Sequence, residues 1–309
     1  MIEDVNKKTK KKYFPTIGLE IHAEMKTKTK MFCKCKNNPF NSAANTNICP
    51  ICTGQPGTLP YVNKQACKNV MKIGVAVNGN LADFSEFDRK NYFYPDIPKA
   101  YQISQYQHPL VSGGKLNNIK ITRIHMEEDT ATSIHKSGYS LIDFNRSSVP
   151  LMELVTEPVI HNAETAMNFA KEFQLLLKTL NVSDANLEKG EMRIEANISI
   201  SEKGYFDGDY SKLGIKTEVK NLNSFKIIGQ AIEYEITRQI AILEGEINDK
   251  LIQETRGWNE QKQKTFSQRI KESADDYRYF PDPDIPKYKF SELPEFSYEN
   301  LKKELPELP

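Results

Sequence analysis

The sequence predicts an α+β protein in which one mostly antiparallel sheet, apolar behind and polar in front, is backed by helices. Three observations lead there. The stretch "TIGLEIHAEM", Thr16 to Met25, alternates strictly: Ile17, Leu19, Ile21, Ala23 and Met25 fall on one face, and Glu20, His22 and Glu24 on the other. The same alternation returns in "MRIEANISI" and "IKTEVK". Between and after these runs lie segments with apolar residues at helical spacing.

In chain order, the first strand gives way to "MFCKCKNNPFNSAANTNICPICTGQPGTLP", whose Asn, Pro and Gly content predicts a loop. "NKQACKNVMKIGVAVNG" carries Ala66, Val70, Ile73, Gly74 and Val77 on one stripe, with Asn63 placed to cap it. "FDRKNYFYPDIPKAYQISQY", Phe87 to Tyr106, is aromatic, charged and broken by prolines, and reads as an ordered loop over a site. "KITRIHMEED" and "SLIDFNRSSVPLMELVTEP" are strand-like. "NAETAMNFAKEFQLLLKTL" is a helix with Ala166, Phe169, Ala170, Phe173, Leu176, Leu177 and Leu180 aligned. A second long helix begins at the capping Ser224 and stops before Gly245. From Leu251 the chain is polar and carries "DDYRYFPDPDIP".

The chain of 309 residues is 39% hydrophobic, enough for a substantial core, and no run approaches the ~18 apolar residues of a membrane span. A net charge of +1 gives no basic footprint for nucleic acid. The lysine-rich opening, residues 1–12, reads as a disordered basic tail. Four of the five cysteines cluster as Cys33-x-Cys35 and Cys49-x-x-Cys52, two pairs that suit a tetrahedral zinc site; unligated thiols are the alternative. Cysteine clustering without an export signal points to a reducing compartment, the cytoplasm or an organelle matrix. Cys67 reads as a core thiol.

The polar face has two readings. One is an ordinary solvated sheet surface. The other is a metal or phosphate site, favoured because each strand offers Glu beside His, Arg, Lys or Asn. Arg193, Glu195, Asn197 and Ser199 share one face; Lys216, Glu218 and Lys220 share another; Glu127, Glu128 and Asp129 follow His125; and Glu153 interrupts an apolar run. Carboxylates would hold Mg²⁺ and the bases phosphate oxygens. No P-loop, dinucleotide fingerprint, kinase catalytic loop or serine-nucleophile motif is present, so phosphoryl chemistry here needs a sheet-borne site.

"IGLEIHAEMKTKTKMF", "FDRKNYFYPDIPKAYQISQY", "HMEEDTATSIH", "FNRSSVPLMELVTEP", "EVKNLNSF" and "DDYRYFPDPDIP" together resemble the B subunits of the tRNA-dependent amidotransferases, from about Thr16 to the end. The resemblance implies a catalytic fold similar to glutamine synthetase and the guanidino kinases. It also implies an ATP-dependent ligase that phosphorylates the side-chain carboxyl of a mischarged Glu- or Asp-tRNA and then amidates it. Ammonia would come from the glutaminase of a heterotrimer, its A subunit, with a small C subunit aiding assembly. By motif, His22, Glu128 and Glu153 match positions for the principal Mg²⁺, and Glu20 and Glu127 match partners of a second metal or of ATP. Arg193, Glu218 and Lys220 are assigned to phosphate and metal contacts. Asp88, Arg89 and Lys90 either line the ammonia path or form an ion-pair cluster. The cysteine pairs resemble the family's zinc knuckle. The domain reading is a tail over 1–12, a catalytic domain over 13–290 with the knuckle at 32–53, and, over 291–309, the start of a linker to a helical and tail domain that the chain lacks. The competing function is a catalytically silent zinc-knuckle scaffold that binds RNA or partner proteins. A third, a stand-alone ligase, predicts ATP turnover without tRNA.

Overall fold

The computed structural model describes residues 13–202, 209–270 and 277–308. The lysine-rich opening and the two aspartates that begin "DDYRYFPDPDIP" lie outside the described residues. We number ten of the strands: β1 (Tyr13–Glu24), β2 (Asp88–Asn91), β3 (Tyr101–Ser104), β4 (Ile119–Glu128), β5 (Pro150–Thr156), β6 (Met192–Glu202), β7 (Thr217–Lys220), β8 (Glu254–Asn259), β9 (Lys264–Ile270) and β10 (Phe280–Pro281). The long helices are α1 (Lys64–Ala76), α2 (Ala163–Thr179) and α3 (Phe225–Leu243).

The main sheet runs β9-β8-β7-β6-β1-β5-β4 and continues into two short edge strands. All pairings along it are antiparallel except β7 with β8. β1 lies in the middle because its alternation serves two neighbours at once. Its odd-numbered residues from Ile17 to Ala23, and Met25 just beyond it, are at most 1% exposed, and so are Met192, Ile194, Ala196 and Ile198 of β6. Each fully buried Ile, Leu or Met of this layer contributes roughly 1.5–3 kcal/mol.

The helices cover that apolar back. Their starts are fixed by side-chain caps: Asn63 Oδ1 accepts from Ala66 N at 3.1 Å, Asn162 Oδ1 from Thr165 N at 2.8 Å, and Ser224 Oγ from Ile227 N at 3.2 Å. Just past the end of α3 comes Gly245, whose φ of +73° suits glycine. α2 and α3 pack closely: a Cβ at Gly229 would meet Met167 Sδ at 2.6 Å. The buried Cys67 thiol sits in α1, and burial pushes it up to about 12.

Two segments depart from the expected pattern. Phe87 to Tyr106 is a β2–β3 hairpin extended by β10, not a loop throughout; the loop character is confined to the 92–100 connection, which holds Pro95 and Pro98. The polar stretch after Leu251 adds β8 and β9 to the sheet. Its strand character is hidden in sequence because polar residues anchor it. Glu235 and Arg238 of α3, both buried, pair at 2.7 Å, and Arg238 also reaches Glu254 at 3.5 Å. Thr265 Oγ1 donates to Glu235 at 3.0 Å, and Arg256 reaches Glu254 at 2.5 Å.

Beyond residue 290 the chain packs back on α1. Phe296 and Leu301 are buried, and Lys68 and Lys72 both pair with Glu304.

Candidate active site

Register brings the front-facing groups of four strands into one row. His22 lies opposite Glu153 on β5 and Arg193 on β6, and Glu153 lies opposite His125 on β4. His22 Nε2 is 3.2 Å from Glu153 Oε2 and 3.8 Å from Glu127 Oε2. His125 Nε2 is 3.4 Å from Glu153 and 3.5 Å from Glu127. Ser104 Oγ donates to Glu127 at 2.7 Å, and Gln102 Nε2 at 3.2 Å, so the β2–β3 hairpin fixes this carboxylate.

Burial opposes charge on both histidines, but the carboxylates outweigh it. Glu153 and Glu127 raise His22 and push His125 up to about 9. Burial likewise opposes ionised Glu127 and Glu153, yet His125 and Lys90 bring Glu127 down to about 2, and His125 and His22 hold Glu153 well below the carboxylate range. One donor atom from each of His22, Glu127 and Glu153 lies within 4.8 Å of the others. Two carboxylates and an imidazole fit a first-row divalent ion as well as Mg²⁺.

One row along β1, Glu20 lies opposite Glu195, and these two gather with Glu218 of β7 into a second such group. Lys220 Nζ is 2.8 Å from Glu195 and 3.4 Å from Glu218. Asn197 Nδ2 donates to Glu20 at 2.7 Å, and Thr255 Oγ1 to Glu218 at 2.7 Å. Burial, then Glu153, Glu195 and Glu218, raise Glu20. Carboxylates crowded in this way are the donor set a hard cation would relieve.

Beyond His22 in the other direction, Arg193 makes a two-pronged pair with Asp129, at 3.0 and 3.1 Å. Burial opposes ionised Asp129, but Arg193 and Arg146 bring it down to about 2, while burial and Asp129 push Glu24 up to about 8.

Glu128 does not join His22 and Glu153. Strand alternation turns it away from Glu127's side; its carboxylate takes Lys99 Nζ at 2.6 Å and the Ile103 amide at 2.9 Å. Glu127 occupies the position that motif matching gave to Glu128.

The hairpin divides its charges. Asp88 accepts from the Tyr106 amide at 2.9 Å. Arg89 stacks 4.3 Å from the Tyr101 ring and pairs with Asp282 and Asp284 at 2.8 and 2.9 Å. Lys90 lies 4.9 Å from the Tyr277 ring; burial opposes its charge, but Glu127 and then the Tyr279 and Tyr92 hydroxyls raise it. Arg89 is therefore in an ion-pair cluster, and Lys90 is electrostatically part of the acidic face.

In the loop, Sγ atoms of Cys33, Cys35, Cys49 and Cys52 all lie within 4.8 Å of one another. The edge of a tetrahedron with ~2.3 Å Zn–S bonds lies within that limit, so the four suit a tetrahedral zinc site. The Cys33 thiol and Lys30 Nζ, 3.6 Å away, help bring Cys52 down to about 5 against burial.

Sequence reading left His125, Glu195, Asp129 and Glu24 without roles. The signal for the first two was available: counting back two from Glu127, or forward two from Arg193, stays on the same strand face. Asp129 and Glu24 needed the pairing of distant strands. His135 and His161 are exposed, and His108 is partly exposed, outside either cluster.

Fold and face define a protein that gathers carboxylates, imidazoles and cationic side chains on one face of a mostly antiparallel sheet. A family model described as the GatB/GatE catalytic domain matches residues 15–293. The B subunit of the aspartyl/glutamyl-tRNA(Asn/Gln) amidotransferase of Thermodesulfovibrio yellowstonii is 47% identical over 306 residues, covering 96% of this chain and 62% of that protein. Its counterpart in Persephonella marina is 47% identical over 303 residues, with the same coverages, and that of Helicobacter pylori 46% over 278, covering 87% and 57%. The chain belongs to the GatB family, among the amidotransferase B subunits. It spans about three-fifths of the length of these relatives.

Proposed function

We propose that this chain is the kinase/transamidase component of a tRNA-dependent amidotransferase. It would convert Glu-tRNA(Gln), Asp-tRNA(Asn) or both to the Gln- and Asn-charged forms, in a heterotrimer with a glutaminase and a small assembly protein. The observation that carries this reading is the pair of acidic clusters one row apart on β1, flanked by Arg193, Lys220 and Lys90.

A carboxylate is a poor acceptor for ammonia. Its oxygen first takes the terminal phosphoryl group of ATP, releasing ADP; the nitrogen of ammonia then attacks the acyl carbon and phosphate leaves. Bound Mg²⁺ supplies neutralisation of the charge that builds when two anions approach. His22, Glu127 and Glu153 would hold the principal ion, and Glu20, Glu195 and Glu218 a second. Lys220 and Arg193 would orient phosphate oxygens, each held in place by its carboxylate partners. Glu128, through Lys99, would support the hairpin rather than bind metal. Lys90, on strand β2 of that hairpin next to Asp88 and Arg89, is our candidate for the polar route by which ammonia enters.

We read residues 13–290 as a catalytic unit similar to the glutamine synthetase and guanidino kinase fold, and 32–53 as a knuckle whose four thiolates hold structural Zn²⁺. We place the protein in the cytoplasm or an organelle matrix. Among the described residues no helix is long and apolar enough to cross a membrane.

The test is formation of Gln-tRNA(Gln) from Glu-tRNA(Gln) by this chain with the glutaminase, the small assembly protein, ATP and Mg²⁺, supplied with ammonium or with glutamine. Product with ammonium that vanishes in Glu153→Ala is expected. Wild-type protein that binds the partners but neither hydrolyses ATP nor forms product in either arm would favour the scaffold reading instead.

A further inference from the structure

At the β4 end of the polar face stands a guanidinium that the two acidic clusters leave unused. Arg123 shares a strand face with His125 and Glu127 and lies opposite Val155 of β5, which in turn lies opposite Glu20 of β1. Its Nη2 is 3.8 Å from Glu153 Oε1, whereas His22 and His125 face the other oxygen of that carboxylate. Among the described residues this long contact is its only ion pair, and its nitrogens make no hydrogen bond. Nε is sealed from solvent, but the side chain is 31% exposed and the two terminal nitrogens keep accessible surface.

The other cations of the face are engaged. Lys220 and Arg193 bond carboxylates at 2.8 to 3.1 Å, and Lys90 rests against the Tyr277 ring. A guanidinium offers five N–H donors in a planar fork and stays charged, so of these four Arg123 keeps the most donors for a ligand. An anion bound there lies beside Glu153 and hence beside the His22 row.

We propose that Arg123 is a catalytic residue that binds the side-chain carboxylate of the acyl acceptor and holds it toward the His22 row. The proposal rests on the kinase/transamidase reading above. Three features select this carboxylate over the phosphates of the nucleotide. Lys220 and Arg193 stand on β7 and β6, and Arg123 on β4, across β1 from them. In-line transfer puts the attacking and leaving oxygens on opposite sides of phosphorus, so with the phosphates on the Lys220 side the acceptor approaches from the β4 side. The two terminal N–H groups match a planar carboxylate as a fork. Val155, half-buried between Arg123 and Glu20, gives the acceptor's methylene carbons an apolar rest about 5 Å, one strand spacing, from Arg123.

Arg123 transfers no proton. One acceptor oxygen forms the new bond to phosphorus as the bond from phosphorus to the oxygen of ADP breaks, while the other oxygen stays on the guanidinium. When ammonia adds to the acyl carbon, that second oxygen takes the negative charge and Arg123 stabilises it. The carbonyl reforms as phosphate departs with the electron pair of the carbon–oxygen bond and takes a proton from nitrogen.

Amide formation from Glu-tRNA(Gln) by the assembled complex, with ATP, Mg²⁺ and ammonium, tests this alongside calorimetric titration with Mg²⁺ and ATP. Arg123→Gln should slow single-turnover amide formation about a hundredfold while ATP affinity stays within about threefold of wild type. Arg123→Lys, which keeps the charge and loses the fork, should recover part of that loss. Amide formation by Arg123→Gln within about fivefold of wild type overturns the assignment. So does a fall in ATP affinity that matches the loss of rate, which would give the guanidinium to the nucleotide. If wild type binds no ATP, the kinase reading itself fails and the assignment falls with it. Modification of wild type with phenylglyoxal, which attacks arginine, is independent of how a variant folds. Glu-tRNA(Gln) should protect the peptide bearing Arg123, while uncharged tRNA(Gln) and ATP with Mg²⁺ leave it reactive. Protection by ATP with Mg²⁺ alone, or equal reactivity in all samples, overturns the proposal.

Discussion

The four-cysteine loop and the imidazole–carboxylate face gather ion ligands in opposite ways. The loop takes its four thiols from twenty consecutive residues, Cys33 to Cys52, held by local turns. The face draws His22, Glu127 and Glu153 from three strands, the first more than a hundred residues from the other two, and only sheet register brings them together. The first is soft-ligand and closed, suited to holding a fold. The second is hard-ligand and open to one side, suited to substrates that come and go. Local spacing encodes the one, and topology encodes the other.

Four experiments would break or sharpen this contrast. The largest effect is expected for Glu153→Ala. It leaves His22 and His125 without their shared carboxylate, and amide formation with saturating ammonium should fall about a thousandfold, ~4 kcal/mol of barrier. A loss below tenfold would mean that the row is not the reacting centre.

Next, Cys49→Ser combined with Cys52→Ser should abolish zinc retention by elemental analysis and lower stability by about 3 kcal/mol, read as a depressed Tm. Unchanged melting with no zinc in wild type would establish unligated thiols.

The third test is pH. His125 has a folded pKa of about 9, above its ordinary 6.5, so its contribution is fully present below pH 6.5 and is lost as pH rises through 9. Glu127, down to about 2, contributes above pH 4.5 and loses that contribution as pH falls toward 2. Denaturant titrations without added metal should show about 2–3 kcal/mol less stability at pH 10 than at pH 6. A flat profile between those values would show that the imidazoles are not held charged by their carboxylates.

The smallest effect is expected for Ser104→Ala, which removes one of the hydrogen bonds to Glu127. Amidation should slow three- to tenfold, about 1 kcal/mol, with the fold unchanged by circular dichroism.

Much of this architecture is legible in the sequence, for identifiable reasons. Where alternation or a helical stripe runs beyond two turns or eight residues, as in β1, β6, α2 and α3, period and caps fix the element. The β2–β3 hairpin is less legible because its strands are four residues long and flank two prolines. β8 and β9 are obscured because the carboxylate and guanidinium that hold them to α3 look like surface charge until both ends are placed. On the face, Glu127 and Glu128 are chemically equivalent as letters. Only the direction of β4's side chains separates the residue beside His22 from the one beneath Lys99.

The four-cysteine loop also grips the rest of the molecule. Lys30, fully buried, donates to the Phe144 carbonyl at 3.1 Å as well as meeting Cys52. Ser147 Oγ donates to the Cys52 carbonyl at 3.0 Å, Asn145 Nδ2 to the Ala43 carbonyl at 2.7 Å, and the Asn47 amide to Asn145 at 2.8 Å. The segment so held, 143–147, leads directly into β5 and Glu153. These bonds tie loop and segment together, and the two are expected to open as one unit. Amide hydrogens on both sides should exchange at a common rate, so loss of the cysteine loop's packing would be felt at the entry to β5.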